Sequence, residues 1–355
     1  MKKVFDQRVI FVAPLGGGHA VNATGDVVKN RFLLNEIREY FGKVLVFNTQ
    51  DYKKHLFRIF ALLVCLVLPV KCDVIISIHP LSAYKLLRFC QYFTCRKRIY
   101  YFVIGGDLPG MIEANNFDVQ CFRKLERIFC ESDIMCSNLQ KLGIDTSVRC
   151  QNFKDFNLSS VAFDRKDEHS PIRFLYLGRI AEEKGISFIL RVLQSVNSEL
   201  GKQGRTLEFD LYGSVSDDFK SVFESELKKY AFAQHKGVLD MSLAENYQIL
   251  RSYHAMLFPT CHANEGFPGV IIDAAIAGLP VIANHWRYAV ELITVPGTGI
   301  VLRRGDSAQW LETIMDIIHS PEKLHKMQVN SVAVAPSYHV KNILSGEFFI
   351  KYFSS

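Results

Sequence analysis

Two carboxylates eight positions apart, Glu265 and Asp273, bracket the glycine-rich turn Gly266-Phe267-Pro268-Gly269 in the stretch FPTCHANEGFPGVIIDAAIAGLPVIAN at 258–284. That spacing is near two helical turns, and acids so arranged can accept hydrogen bonds from sugar and ribose hydroxyls. The glycines leave backbone amides open at a helix N-terminus, which favours phosphate and sugar oxygens. Asp273 alone has a plainer explanation as an early helix acid favoured by the macrodipole, but this does not account for the whole string. Earlier in the chain, YLGRIAEEKGISFIL at 176–190 sets Arg179 directly after Gly178 and Lys184 five positions on. Two cations at a strand's carboxyl end can neutralise a diphosphate leaving group without a metal; the same run of charges is equally a solvated surface. Near the N-terminus, PLGGGHAVNATGD at 14–26 carries Gly16, Gly17 and Gly18 between an apolar strand and a helical segment. Such a loop lets backbone approach a phosphate or sugar, or is simply a tight turn; it has neither the Gly-Lys-Ser/Thr of a P-loop nor a complete dinucleotide fingerprint.

These residues need strands and helices to hold them. Short apolar runs recur between segments of helical period: 9–15, 43–49, 73–79 and 98–106, then 172–178, 207–213, 255–260 and 278–284. Buried strands alternating with helices predict parallel, doubly wound sheets, whose ligands bind beyond the carboxyl ends of the strands. The polar stretch Asp164 to Ser170 and Pro171 interrupt the pattern. The reading is therefore an α/β chain of two Rossmann-like domains facing a central cleft, 1–165 and 166–335, with a closing helix in 336–355 that packs back on the first domain. His79 after DVIISI and His262 beside the Glu265 loop stand where they could line that cleft.

At 355 residues with 49% hydrophobic and 22% charged residues, the chain is long enough for two cores and excludes a disordered or disulfide-dense protein. The formal charge of +6 is uneven, with 23 basic against 15 acidic residues up to Arg165 and 19 against 21 beyond. The basic half is the one expected to meet an anionic surface. Its lysines and arginines are scattered, so nucleic acid is not an expected partner. Nine cysteines, eight of them before residue 151, form no C-x-x-C pair or zinc spacing and are expected to be buried reduced thiols in a cytoplasmic protein. The twelve-residue apolar run Ile59 to Val70, flanked by Lys53, Lys54, His55, Arg58 and Lys71, is too short to span a bilayer. It is either a buried helix or a helix resting on anionic lipid.

The ordered set GRI…EKG, LYGS at 211–214 and FPT…EGFPGVIID…AGLPVIA resembles the retaining, sugar-nucleotide-dependent glycosyltransferases of family 4, which have the two-domain GT-B fold. The resemblance covers much of the second half. It implies that Glu265 contacts the donor sugar, that Asp273, one methylene shorter than the family's glutamate, binds the ribose, and that Arg179 and Lys184 bind the diphosphate. It also implies donor contacts from Gly16 to Gly18, from Gly178, Gly213 and Ser214, and from Gly266, Phe267, Pro268 and Gly269. The first half departs from the family: Gly105 of YFVIGGDLPG aligns where many members have a histidine. Asp107 is the nearest ionisable residue there, either a group that positions the sugar or an ordinary loop aspartate.

The function so implied is transfer of a sugar from a nucleoside diphosphate sugar, uridine first and guanosine second, to a saccharide hydroxyl with retention. The acceptor is expected on a polyprenyl diphosphate carrier at the cytoplasmic membrane face, in capsule, O-antigen or exopolysaccharide synthesis. No metal or cofactor is expected. A non-catalytic partner subunit and a different GT-B enzyme, such as a sugar-nucleotide epimerase or a phosphorylase, are the alternatives.

Overall fold

A computed structural model describes residues 5–17, 25–50, 56–92, 97–157, 171–262 and 264–354. Gly18, the basic residues 53–55 and the polar stretch 164–170 lie outside the described residues. Contacts divide the chain into two compact units: Met1–Asp155 with Asn264–Phe267 and Tyr338–Ser355, and Phe156–Ala263 with Pro268–Ser337.

The first unit holds a six-stranded sheet of β1 (Phe5–Ala13), β2 (Phe41–Asn48), β3 (Asp73–Ile76), β4 (Arg98–Phe102), β5 (Arg127–Cys130) and β6 (Ser147–Arg149), in the order β2-β1-β3-β4-β5-β6. Every described pair is parallel, with Val9 beside both Val44 and Asp73. The inner strands are buried on both faces, which is why Val9–Ala13 and Asp73–Ile76 read as nearly unbroken apolar sequence. Strand order reverses between β1 and β3, so the turns after these strands open the crevice where such sheets bind ligands.

The second unit repeats the plan with β7 (Ile172–Leu177), β8 (Leu207–Tyr212), β9 (Ala233–Gly237), β10 (Ala255–Phe258), β11 (Val281–Asn284) and β12 (Gly299–Leu302), in the order β12-β11-β10-β7-β8-β9. Its reversal lies between β7 and β10. The turn carrying Arg179 follows the first of these strands and the loop leading to His262 follows the second.

The last helix, Gly346–Phe353, belongs to the first unit. Ser345 caps it by accepting from the Phe348 N–H at 3.3 Å. Phe349 and Phe353 are fully buried; Phe353 stacks on Tyr100 at 4.2 Å and meets Phe41 edge-on at 5.6 Å. Arg98, held by both oxygens of Asp73 at 2.8 Å, donates to the Phe353 carbonyl at 3.2 Å, and Gln7 donates to the same oxygen at 3.1 Å. The free carbonyls of the helix end are thus answered by side chains of β1 and β4.

The apolar run after Arg58 forms part of the helix Leu56–Val67, whose only buried residues are Leu62 and Leu66. Phe57 and Phe60 are about 70% exposed, which rules out the buried-helix alternative. No described helix is long and apolar enough to cross a membrane.

Phe353→Ala is expected to cost about 3–5 kcal/mol, the usual penalty for emptying a buried phenylalanine site. Ile350→Ala, on the exposed side of the same helix, should cost within about 0.5 kcal/mol. Urea unfolding checks the pair, and equal costs would contradict the packing described.

Candidate functional site

In the second unit, three strand ends are brought together by backbone. Gly178 and Gly213, after β7 and β8, have φ of 137° and 148°, and a β-carbon on Gly213 would stand 1.8 Å from the Gly178 carbonyl oxygen. Only glycine allows that approach. The Ile180 N–H then donates to the Ser214 carbonyl at 2.8 Å, and Ser214 itself is exposed. Arg179 is solvent-facing, with Nη2 2.6 Å from Glu183 Oε1, while its carbonyl accepts from the Tyr176 hydroxyl at 2.8 Å.

Lys184 closes the short 3₁₀ turn Glu182–Lys184. Gly185 follows at φ 74°, where a β-carbon would lie 2.2 Å from the Pro259 carbonyl oxygen. The Cys261 N–H donates to the Glu183 carbonyl at 2.8 Å. Asn284 donates to the Pro259 carbonyl at 2.7 Å and accepts from the Trp310 indole at 2.9 Å. The turn bearing both cations is therefore tied to the end of β10, at the reversal of strand order. His262 lies at this end, its backbone N–H donating to Thr260 Oγ1 at 3.3 Å; its ring Nδ1 is buried and meets no hydrogen-bond partner among the described residues.

Pro268 caps the helix Gly269–Ala277, which carries Asp273. Asp273 is 1% exposed and accepts from the Tyr247 hydroxyl at 3.0 Å. Burial first, and then the Asp273 carboxylate, push the Tyr247 hydroxyl well above the usual phenol range, so it stays a donor.

In the first unit, the glycine loop after β1 is held by side chains. Arg31 donates to the carbonyls of Leu15 at 2.9 Å and Gly17 at 3.0 Å, and Asn48 donates to Gly16 at 3.1 Å. Gly16 turns the chain at φ 71°. After β3, His79 receives the Leu81 N–H at Nδ1 at 3.4 Å, and burial of part of the ring lowers its pKa. Asp107 is buried and caps the helix Leu108–Ala114, accepting from the Gly110 N–H at 3.3 Å. Its position is that of a helix cap rather than of a surface-loop aspartate.

The centre of this unit is a charge cluster that the sequence reading did not single out. Lys29 and Glu131 are both buried, with Nζ 2.6 Å from Oε1. The other oxygen of Glu131 accepts from the Phe267 N–H at 3.1 Å, and Asn152 donates to the Phe267 carbonyl at 2.9 Å. The segment carrying Glu265 and Gly266 is thereby fixed within the first unit by both hydrogen-bonding groups of one peptide residue. A β-carbon on Gly266 would meet Glu131 Oε2 at 3.1 Å and the Gly106 carbonyl at 3.5 Å.

Asp26, in the first turn of the helix Gly25–Tyr40, completes the cluster. Burial, then the charge of Glu131, push its carboxyl up to about 6 against the lowering pull of Lys29. Glu131 escaped notice because the apolar part of β5 is only residues 128–130, set between charged residues, although Ser132, which accepts from the Met135 N–H at 3.0 Å, is a readable helix cap directly after it. Asp26 closed the quoted glycine string, and Tyr247 carried no signal at all.

With this geometry in view, comparison with known proteins locates the chain. Residues 171–320 match the family of glycosyl transferases group 1. The chain is 26% identical over 157 residues to a 2-deoxystreptamine N-acetyl-D-glucosaminyltransferase of Niallia circulans, covering 44% of this chain and 39% of that protein. It is 25% identical over 214 residues to the capsular polysaccharide biosynthesis glycosyltransferase CapM of Staphylococcus aureus, covering 54% and 53%. The matches thus span about half or less of these relatives' lengths. Among solved structures, a sucrose-phosphate synthase of Thermosynechococcus elongatus superposes with a TM-score of 0.73 at 13% identity, covering 98% of this chain and 99% of that one. Anabaena HepE, in complex with UDP and glucose, gives 0.66 at 14% identity, covering 96% and 98%. The likeness establishes the fold as that of GT-B glycosyltransferases, with two doubly wound α/β units.

Glu131→Ala strands a buried lysine and leaves the Phe267 N–H without its acceptor, so it is expected to cost about 3–5 kcal/mol. The double change Lys29→Met/Glu131→Leu should recover most of that loss, because it removes both charges. Thermal melts of the three proteins check this, and a single variant as stable as the parent would contradict the cluster's role.

Proposed function

We propose that the chain is a glycosyltransferase that moves a hexosyl unit from a nucleoside diphosphate sugar to a hydroxyl of a saccharide acceptor, with retention at the anomeric carbon. UDP-sugar is the first choice of donor and GDP-sugar the second. The observation that carries this reading is the Arg179–Lys184 turn tied to the end of β10 at the strand-order reversal of the second unit. Such a crevice takes nucleotides in doubly wound sheets, and two cations beside it suit a diphosphate.

In the reaction, the bond from the anomeric carbon to the diphosphate oxygen breaks and a bond to the acceptor oxygen forms. The acceptor's proton passes to solvent by way of the departing phosphate. Charge develops on the leaving diphosphate, so fixed cations and helix amides lower the barrier without a protein nucleophile or a metal. Glu265 orients the sugar, and Asp273, steadied by the Tyr247 hydroxyl, serves the nucleoside ribose. The family match over 171–320, the relatives' names and the UDP and glucose bound by HepE support this assignment.

The pathway we assign is cell-surface polysaccharide assembly, with an acceptor carried on polyprenyl diphosphate. Support comes from the helix Leu56–Val67, whose Leu56, Phe57, Phe60, Val64 and Val67 face solvent beside Arg58. A cavity of about 480 Å³ beside its C-terminal end is lined by Val44, Leu45, Cys65, Leu68 and Val70, with Arg8 and Lys43 among its walls. Exposed aliphatic and aromatic side chains with basic neighbours suit the surface of an anionic bilayer.

Thermal-shift measurements with UDP, GDP, ADP, CMP and dTDP in the presence of chelator test the donor site. One nucleoside diphosphate, UDP foremost, is expected to raise the melting temperature by an amount that grows with its concentration. Arg179→Ala/Lys184→Ala should weaken that binding at least tenfold, equivalent to about 1.4 kcal/mol. No shift with any of the nucleotides, or a shift that needs a divalent metal, would contradict the reading.

A further inference from the structure

Gly105 and Gly106 follow β4 at the carboxyl end of the first sheet. Gly105 has φ of 70°, a left-handed conformation that favours glycine on its own account. There is also a second reason for a bare residue there. A β-carbon on Gly105 would lie 2.7 Å from Asp26 Oδ2, so the Asp26 carboxyl occupies the room that any side chain at 105 would need. The neighbouring Gly106 is not crowded in this way, but it faces the same groups: its β-carbon would stand in ordinary contact with Met111 Sδ at 3.5 Å and with the Asn264 carbonyl and His79 Nε2, each at 3.9 Å. Asp26, His79 and the segment leading to Glu265 therefore surround one pair of glycines.

The charges around Asp26 leave it under-compensated. Lys29 lies one turn further along the same helix, but its ammonium is held at 2.6 Å by Glu131, whose second oxygen is occupied by the Phe267 N–H. Among the described residues, Tyr101 of β4 also feels the Asp26 charge, and it donates its hydroxyl to the Ile78 carbonyl at 3.1 Å. His79, whose Nε2 faces Gly106, has its pKa lowered by burial, which works against a compensating charge there. A carboxylate beside a like charge, with the local cation engaged elsewhere, is stabilised by an added hydrogen-bond donor, and a sugar hydroxyl is such a donor.

We propose that Asp26 is a substrate-touching carboxylate of this protein, accepting a hydrogen bond from a hydroxyl of the saccharide that reacts beside Gly105, Gly106 and Gly266. The inference rests on the glycosyltransferase reading above and adds to it a residue on the first unit. The sugar's source is the donor or the acceptor, since both present the same hydroxyl chemistry. Binding favours the ionised form of Asp26, so activity rises with pH through the range where the free carboxyl loses its proton, about pH 6.

The test follows nucleoside diphosphate release by the full-length wild type, Asp26→Asn and Gly105→Ala from pH 5 to 8, using whichever UDP-sugar the wild type turns over. UDP binding is measured alongside by calorimetry. Asp26→Asn is expected to lower kcat/KM about 10- to 100-fold, as loss of a hydrogen bond to a charged group does, and to abolish the acid limb near pH 6. UDP affinity should stay within about twofold. Asparagine removes a like charge from beside Glu131, so this variant should melt no lower than the wild type at pH 7.5. Gly105→Ala keeps the carboxyl but displaces it, and should show the same loss with the acid limb retained. A rise in KM confined to the UDP-sugar assigns the hydroxyl to the donor; a rise confined to the acceptor assigns it to the acceptor. Wild-type kcat/KM in Asp26→Asn, or an unchanged acid limb, overturns the inference while UDP binding leaves the glycosyltransferase reading standing. Failure of the wild type to bind any nucleoside diphosphate overturns both together.

Discussion

The buried ion pair between Lys29 and Glu131 is the interaction on which the first unit's functional end depends. Two charges taken out of water at 2.6 Å stabilise the fold little by themselves, because desolvation offsets most of their attraction. What the pair does is fix geometry. One carboxylate oxygen engages the cation and the other engages the Phe267 N–H, and Asn152 holds the other end of the same residue. A segment far along the chain, carrying Glu265 and Gly266, is thereby made part of the first unit. Burial first, and then the neighbouring charge of Glu131, push the adjacent Asp26 carboxyl up to about 6, and Lys29 offsets this only in part.

The second unit solves a different problem by different means. Arg179, one of the two cations proposed to meet a diphosphate, is solvent-facing and paired at the surface with Glu183. An exposed pair of this kind contributes little stability and is readily exchanged for a phosphate. The order lies in the backbone underneath, where Gly185 and Gly213 let main chains approach to distances that a β-carbon would forbid. Asn284 and Trp310 then hold the end of β10 beneath them. Under the proposed function, a rigid backbone beneath a solvent-facing cation suits a site that takes up a diphosphate and releases it.

Much of the fold could be read from the sequence because parallel strands buried on both faces leave continuous apolar runs: the eight runs contain β3, β4, β7, β8, β10 and β11 and overlap β1 and β2, whose first residues they miss. The four that escaped are short or peripheral. Ser147–Arg149 has three residues, and Ala233–Gly237, an edge strand reading AQHKG, alternates in burial and has no aliphatic run. The strand RIFC was hidden because charged residues at Glu126, Arg127 and Glu131 cut its apolar run to three, and with it went Glu131. The glycine motifs were legible because tight turns and close backbone approach leave few alternatives to glycine. Lys29, Asp26 and Tyr247 were not, because a lysine or a tyrosine inside a helix looks the same in sequence whether it faces solvent or a buried carboxylate. The helix Leu56–Val67 was ambiguous for a related reason: composition reports how apolar a helix is, and only the packing of Leu62 and Leu66 reports how little of it is covered.

The most direct measurement of the central claim is mass spectrometry of complete reactions containing a UDP-sugar panel and short lipid-linked saccharides. The account predicts that one acceptor gains a single sugar residue while an equimolar amount of UDP appears. UDP-sugar converted to an isomer or to free sugar with no dependence on acceptor, or no conversion by a chain that binds UDP, would contradict it.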